Sequence, residues 1–184
     1  MLARSVLVLQ NADRNLVELC ARSIRSVPLR HLAVGATRAA NGPIYIAIAF
    51  LIAGLLDAES FPGILAGVVS LAILHSVYTP LKKLVARSRP FTVMANLEPT
   101  LPALDQHSFP SGHAMTLTAV LISLPAANYW IAAMYLCLWL LVAWSRIAVA
   151  HHYFSDVIGG SILAMVVAYP ISWLAVLAFG AVSP

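Results

Sequence analysis

Residues 61–81 read FPGILAGVVSLAILHSVYTPL, an apolar stretch without a single Asp, Glu, Lys or Arg. About 20 such residues are what a helix needs to cross the hydrocarbon core of a bilayer. The rest of the chain is of the same character. Of its 184 residues, 61% are apolar and 10% charged, with a mean hydropathy of +0.87. A soluble domain carries roughly 25% charged residues, so these proportions exclude a disordered protein, a nucleic-acid-binding module and a cytosolic globular enzyme. The net charge of +4 and isoelectric point near 9.4 come without a Lys/Arg cluster interleaved with stacking aromatics. No nucleic-acid partner is expected, and the basicity belongs to the membrane. Cys20 and Cys137 lie far apart among apolar residues and read as small hydrophobes, not as a disulfide or metal pair. The expected fold class is all-α, an integral membrane helical bundle.

Working outward from Phe61–Leu81, four more spans are expected. Thr37–Leu56 is interrupted near its start by Asn41, Gly42 and Pro43. A second opens at Ser111 and fades near Asn128, and Tyr129–Ser145 is short and rich in Trp and Leu. The last, Ser155–Phe179, contains Pro170, which should kink it. Between Val6 and Val34, Leu9, Leu16, Leu19, Cys20, Ile24 and Val27 recur at helical spacing, with Arg14, Arg22, Arg25 and Arg30 among them. Such a mixture cannot cross a bilayer; it suits amphipathic helices lying in the interface, or, more plainly, a helix packed on the membrane domain. The apolar run Ser5–Leu9 is too short for a signal peptide. Residues 1–184 thus form one membrane-embedded domain, with an interfacial region at 1–36 and a bundle of about five transmembrane helices at 37–184. Gly63-Ile-Leu-Ala-Gly67 permits close helix approach, either within the chain or in a homo-oligomer. His75 is an ionisable group inside a span and so a site candidate, with a neutral, hydrogen-bonded packing role as the plainer reading.

Tracing five spans puts all 11 Lys and Arg residues on one face of the membrane. With Lys82, Arg89 and Arg146 set aside for chemistry, eight remain against none, which makes that face cytoplasmic. Three polar clusters share it. Lys82 and Arg89-Pro90 end the Phe61–Leu81 span; the helix is expected to continue to Arg89, which Pro90 turns out of helical geometry. Pro110-Ser111-Gly112-His113 precedes the next span, where free helix N–H groups and a glycine favour an anion. Ser111 can cap that helix and donate to a phosphate oxygen, while His113 can deliver a proton to a leaving group. The third cluster is Ser145-Arg146, His152 and Asp156. The spacing of four puts Asp156 on the same helix face as His152, where it can accept the imidazole N–H and leave the other nitrogen as a nucleophile. The same spacing pairs His151 with Ser155, a poorer orienting group. No Cys ligand, His-Glu-x-x-His pattern or carboxylate-rich loop supports a metal site. Together these residues suit phosphoryl transfer, with cations for three equatorial oxygens, an in-line nucleophile and a proton donor. Arg89 and Arg146 supply forked guanidinium groups.

The three clusters resemble the signature of the type-2 phosphatidic acid phosphatases, a superfamily of membrane lipid phosphatases that also includes vanadium haloperoxidases. Lysine, six residues and Arg-Pro stand here as Lys82 to Arg89-Pro90; Pro-Ser-Gly-His as Pro110 to His113; Ser-Arg, five residues, His, three residues and Asp as Ser145-Arg146, His152 and Asp156. The resemblance implies His152 as the nucleophile forming a phosphohistidine, Asp156 as its orienting partner and His113 as general acid. It implies that Lys82, Arg89, Ser111, Gly112 and Arg146 hold the phosphate, with no metal and no cofactor. The substrate would be a terminal phosphate or diphosphate of a lipid such as phosphatidate, phosphatidylglycerophosphate, a polyprenyl (di)phosphate or phosphorylated lipid A, in the bacterial inner membrane. Lys83, Arg87 and the loop Phe91–Phe109 are expected to form the headgroup rim. A non-catalytic transporter or binding protein for phosphorylated lipids is the alternative, and it leaves the His152–Asp156 pair unexplained. Peroxidase chemistry on bound vanadate fits soluble relatives, not this apolar composition.

Overall fold

The computed structural model describes residues 2–45, 48, 61–124 and 129–179. The helices delimited among the described residues are α1 (Leu2–Ser23), α2 (Val27–Ala39), α3 (Phe61–Val85), α4 (Pro90–Val93), α5 (Gly112–Ser123), α6 (Tyr129–Ala148) and α7 (Phe154–Phe179). No strand occurs among the described residues, whose only sheet-like feature is an antiparallel bridge between Ser88 and His107. Of the expected span Thr37–Leu56, residues 43–45 and 48 are helical and the remainder lies outside the described residues.

Among the described residues two helices, α3 and α7, are long and apolar enough to cross a bilayer. They flank α5, which has only 12 residues and a length of about 18 Å. Half of α5 is buried, from Ala114 to Ser123. Met115 and Ala119 of α5 meet Leu74 of α3 and Ala164 and Ala168 of α7 in one cluster. The alanines on α5 and α7 let those two helices approach closely. Gly67 belongs to the same logic, because a Cβ there would lie 3.3 Å from Ser123 Cβ. That glycine therefore serves packing within the chain. His75 Nε2 sits 3.1 Å from Thr116 Oγ1, which ties α3 to α5 and matches the packing role read from the sequence.

The outward faces are apolar where a soluble protein would be charged. Val68, Val166 and Trp173 are each close to 60% exposed or more, at 61, 67 and 58%. This belt is the lipid-facing surface of an integral membrane protein. The ends of the helices differ in kind. Phe61, Tyr129 and Phe179 lie at the ends of α3, α6 and α7 away from the polar motifs, and the Phe61 and Phe179 rings meet edge to face. Lys82, Arg146 and Asp156 lie at the opposite ends, about 30 Å away along α3. Chemistry is thus confined to one end of the bundle.

One expectation needs correction here. The helix α3 stops at Val85, not at Arg89: Ala86 adopts φ +48° and its N–H donates to the Lys82 carbonyl at 2.9 Å, a left-handed cap that ends the helix early. Lys82 and Arg89 therefore meet across a bend instead of along one helix face. α7 continues through Pro170 from Phe154 to Phe179. The amphipathic N-terminal helices are also docked on the bundle. Asp13 and Val17 on one face of α1 are buried, as is Ile24 just beyond its end, and Ala33 and Thr37 do the same for α2. Both helices pack on α6, while Leu19 on the other side of α1 remains exposed.

Candidate active site

The site is assembled from the three motifs and the loop between α4 and α5. Segment 87–88 pairs with 107–108: Ser108 N–H donates to Arg87 O at 2.8 Å and the Ser108 hydroxyl reaches the Arg87 and Ser88 carbonyls. This brace aims the Ser108 carbonyl at His152, whose Nδ1 lies 2.7 Å from it. A carbonyl only accepts, so His152 carries its proton on Nδ1 and Nε2 keeps a lone pair. Asp156, expected to make that bond, sits 3.7 Å from Nδ1. Its oxygens are taken elsewhere, Oδ1 by Arg87 Nη1 at 2.6 Å and Oδ2 by the Tyr153 N–H at 2.8 Å. The orienting acceptor is a backbone carbonyl that no side-chain spacing could reveal.

Arg87 is also misplaced by sequence reasoning. Instead of lining the rim, its guanidinium forks between Asp156 and Asp13 of α1, with Nη2 2.9 Å from Asp13 Oδ2. It donates to Ser155 Oγ at 2.7 Å and stacks 4.0 Å from the Tyr153 ring centroid. Asp13 further accepts from the Ser155 N–H and its hydroxyl.

The cations of the motifs are buried. Arg89 donates through Nε to Asp105 O, through Nη1 to His151 O and through Nη2 to Asp105 Oδ1, at 2.9, 2.7 and 2.7 Å. Lys82 Nζ contacts both Asp105 oxygens. Burial opposes ionisation of Asp105, but Lys82 and Arg89 outweigh it and hold its carboxyl at about 2. Arg146 Nη2 lies 3.0 Å from His151 Nδ1, while its Nε is buried with no partner among the described residues. His151 Nε2 donates to the Leu101 carbonyl at 2.8 Å, so its Nδ1 is the acceptor for Arg146. Both ring nitrogens of His151 are thereby engaged.

Ser111 occupies the cap position of α5 but makes no side-chain capping bond, contrary to expectation, and its buried Oγ is without a partner among the described residues. Its backbone is locked against α7: Ser111 N–H donates to Asp156 O at 3.0 Å, and a Cβ on Gly160 would fall 2.5 Å from Ser111 O. A Cβ on Gly112 would lie 2.7 Å from the Tyr78 hydroxyl, the end of a side chain that would have to shift. His113 Nε2 lies 2.6 Å from Asn41 Oδ1, a partner supplied by the Asn41-Gly42-Pro43 turn. Tyr45, just beyond that turn, has a buried hydroxyl with no partner among the described residues. The candidate residues Lys82, Arg89, Ser111, Gly112, His113, Arg146, His152 and Asp156 all lie at this end of the bundle. Asp13, Asn41, Asp105 and Ser108 join them without a sequence signal. Among the described residues no three His, Cys, Asp or Glu side chains converge as metal ligands.

The electrostatics fix protonation states. Burial, then the charges of Arg146, Arg89 and Lys82, push His152 well below its usual value, and burial and Arg146 push His151 down to about 4. Unfolded, both would bind protons near pH 6.5, so between that value and the folded values the unfolded chain holds more protons. Stability is thus complete above about pH 6.5 and falls as the pH drops below it. The unfolding temperature of the detergent-solubilised protein is expected to drop between pH 7 and pH 4.5, with a shallower slope in His151→Gln. A flat profile would contradict the neutral, buried imidazoles.

The family model described as PAP2 superfamily matches residues 63–179. No curated protein sequence matches the chain significantly. Among solved structures, LpxE from Aquifex aeolicus superposes with a TM-score of 0.68 at 18% identity, covering 89% of this chain and 93% of its own. A transmembrane PAP2-type phosphatidylglycerolphosphate phosphatase from Bacillus subtilis gives 0.69 at 22% identity, covering 96% and 88%.

Proposed function

The chain belongs to the PAP2 superfamily, and on that premise we propose that it is a metal-independent lipid phosphatase acting through a phosphohistidine. One observation carries the reading: a neutral His152 whose Nε2 has no partner among the described residues, in a site where Ser111 Oγ and Arg146 Nε are likewise buried and unsatisfied among them. Unpaired buried polar groups are costly, and a phosphate supplies acceptors for both. In the first step His152 Nε2 attacks phosphorus, the bond to the lipid oxygen breaks, and His113, protonated once the bound phosphate dianion offsets the surrounding cations, gives its proton to that oxygen. Water then attacks the phosphohistidine, passes a proton to His113, and leaves inorganic phosphate and neutral His152. Arg89, Arg146 and Lys82 stabilise the equatorial charge that a metal provides elsewhere. Asp156, 3.7 Å from His152 Nδ1, stabilises the positive charge that grows on the ring during attack.

The lipid stays in the bilayer beside the apolar belt while its headgroup enters from the loop side. A cavity of about 470 Å³ between the α1–α2 corner and loop residues 96–100, edged by Arg22, Arg25 and Arg30, offers room for a polar headgroup. The bilayer face is the cytoplasmic one, on the bias of basic residues in α1 and α2. The test is a panel of phosphatidate, phosphatidylglycerophosphate, polyprenyl phosphates and diphosphates, and phosphorylated lipid A, with chelator present. Phosphate release from at least one is expected, and from sealed inside-out vesicles without detergent. Binding of these lipids with no release from any would leave the transporter alternative standing instead.

A further inference from the structure

Lys82 and Arg89, the two cations of the first motif, are both committed to one carboxylate. Asp105 Oδ1 and Oδ2 lie 2.6 and 2.7 Å from Lys82 Nζ, and Oδ1 lies 2.7 Å from Arg89 Nη2. The His107 carbonyl takes Lys82 as well, at 2.8 Å. An ammonium has three donors, so these three acceptors leave Lys82 nothing for a ligand. A pair of oxygens set against an ammonium and a guanidinium is also how a phosphate would be held there. The other half of the cradle is in the opposite state, because Ser111 Oγ and Arg146 Nε have no partner among the described residues. Exposure is divided in the same way. The Lys82 and Arg89 side chains are 6% and 2% exposed within the bundle, whereas Asp105 is 37% exposed and reaches them from a loop.

We propose that Asp105 is an internal competitor of the substrate: its carboxylate occupies the Lys82–Arg89 half of the cradle in the free protein and yields to an incoming phosphate dianion. The inference rests on the phosphatase reading for the identity of the anion. Its consequence is selectivity, since affinity for a ligand is a difference between it and what it displaces. A terminal phosphate brings a second charge and more acceptor oxygens than the carboxylate and wins the exchange. The phosphodiester monoanion of a bulk membrane lipid brings one charge and does not. After hydrolysis the returning carboxylate helps expel inorganic phosphate.

The test uses the full-length protein in detergent with inorganic phosphate as the probe, by calorimetry and thermal unfolding. Asp105→Asn is expected to bind phosphate about tenfold more tightly than wild type. It should unfold at a lower temperature without phosphate and recover when phosphate is added, while Asp105→Glu stays close to wild type. In turnover, Asp105→Asn should show a lower KM, stronger product inhibition and a lower kcat. Equal or weaker phosphate binding by Asp105→Asn overturns the proposal, because a purely structural ion pair would give that result. Absence of hydrolysis by wild type would count against the phosphatase reading alone, and the binding comparison would still decide the competition. Displacement has its own readout if Asp105→Asn does not fold. A fluorophore at Leu104→Cys, which is 70% exposed, in a background with Cys20 and Cys137 as serine, should change its signal on phosphate addition; an unchanged signal overturns displacement.

Discussion

His152→Ala is expected to lower turnover by at least about a thousandfold with the fold intact, since removal of a nucleophile takes the whole covalent route with it. The alternative nucleophile is its neighbour, and the geometry separates the two. His151 donates Nε2–H to Leu101 O and receives Arg146 on Nδ1, so neither nitrogen is available. His152 donates Nδ1–H to Ser108 O and has Nε2 left over. Its proton affinity is held down by burial and three cations, which keeps the lone pair free at neutral pH. Rapid quench under alkaline conditions, where phosphohistidine survives, should place the phosphoryl group on His152 in wild type. None should appear in His152→Ala, while His151→Gln keeps the adduct. Because His152 is fully enclosed, thermal unfolding must accompany the assay; an unfolding temperature near wild type ties the loss to chemistry. An adduct on His151, or full turnover by His152→Ala, would refute the assignment.

The sequence pointed to His152 for a reason the structure replaces. Spacing to Asp156 suggested a carboxylate–imidazole bond, but that carboxylate is held by Arg87 and the Tyr153 N–H, and a backbone oxygen does the orienting. Apolar periodicity made α3, α6 and α7 legible to within a few residues, because a lipid-facing helix must be apolar along its length. The end of α3 was not legible. Ala86 takes a left-handed conformation with neither Gly nor Asn to announce it, and that bend brings Lys82 and Arg89 onto Asp105. Asp105 and Asp13 were unreadable for a related reason: a carboxylate in a loop or on an amphipathic helix looks solvated until the distant cation it faces is known. Motif spacing identifies groups that act on substrate more readily than the long-range partners that hold them.

Arg87 is where that blind spot has its largest consequence for stability. Its guanidinium binds Asp156 in the first turn of α7 and Asp13 in α1, two carboxylates with side-chain exposures of 0 and 9%. Asp13 lies outside the stretch matched by the family model, 63–179, and Asp156 inside it. One arginine therefore clamps the N-terminal region onto the helix that carries the third motif. Arg87→Ala leaves both carboxylates enclosed without a cation, and breaking such a pair costs about 3–5 kcal/mol. For a chain of this size that is a fall of roughly 10 °C in unfolding temperature. Arg87→Lys keeps the charge but not the fork, so one carboxylate stays bound and the loss should be intermediate. The double variant Arg87→Ala with Asp13→Asn should recover part of the loss, since it removes one of the stranded charges, and the cycle measures the coupling directly. Lys83→Ala, a change at the neighbouring exposed lysine, serves as the control and should shift little. If Arg87→Ala unfolds no earlier than Lys83→Ala, the arginine is a solvated surface charge after all, and α1 is held to the bundle by its apolar face alone.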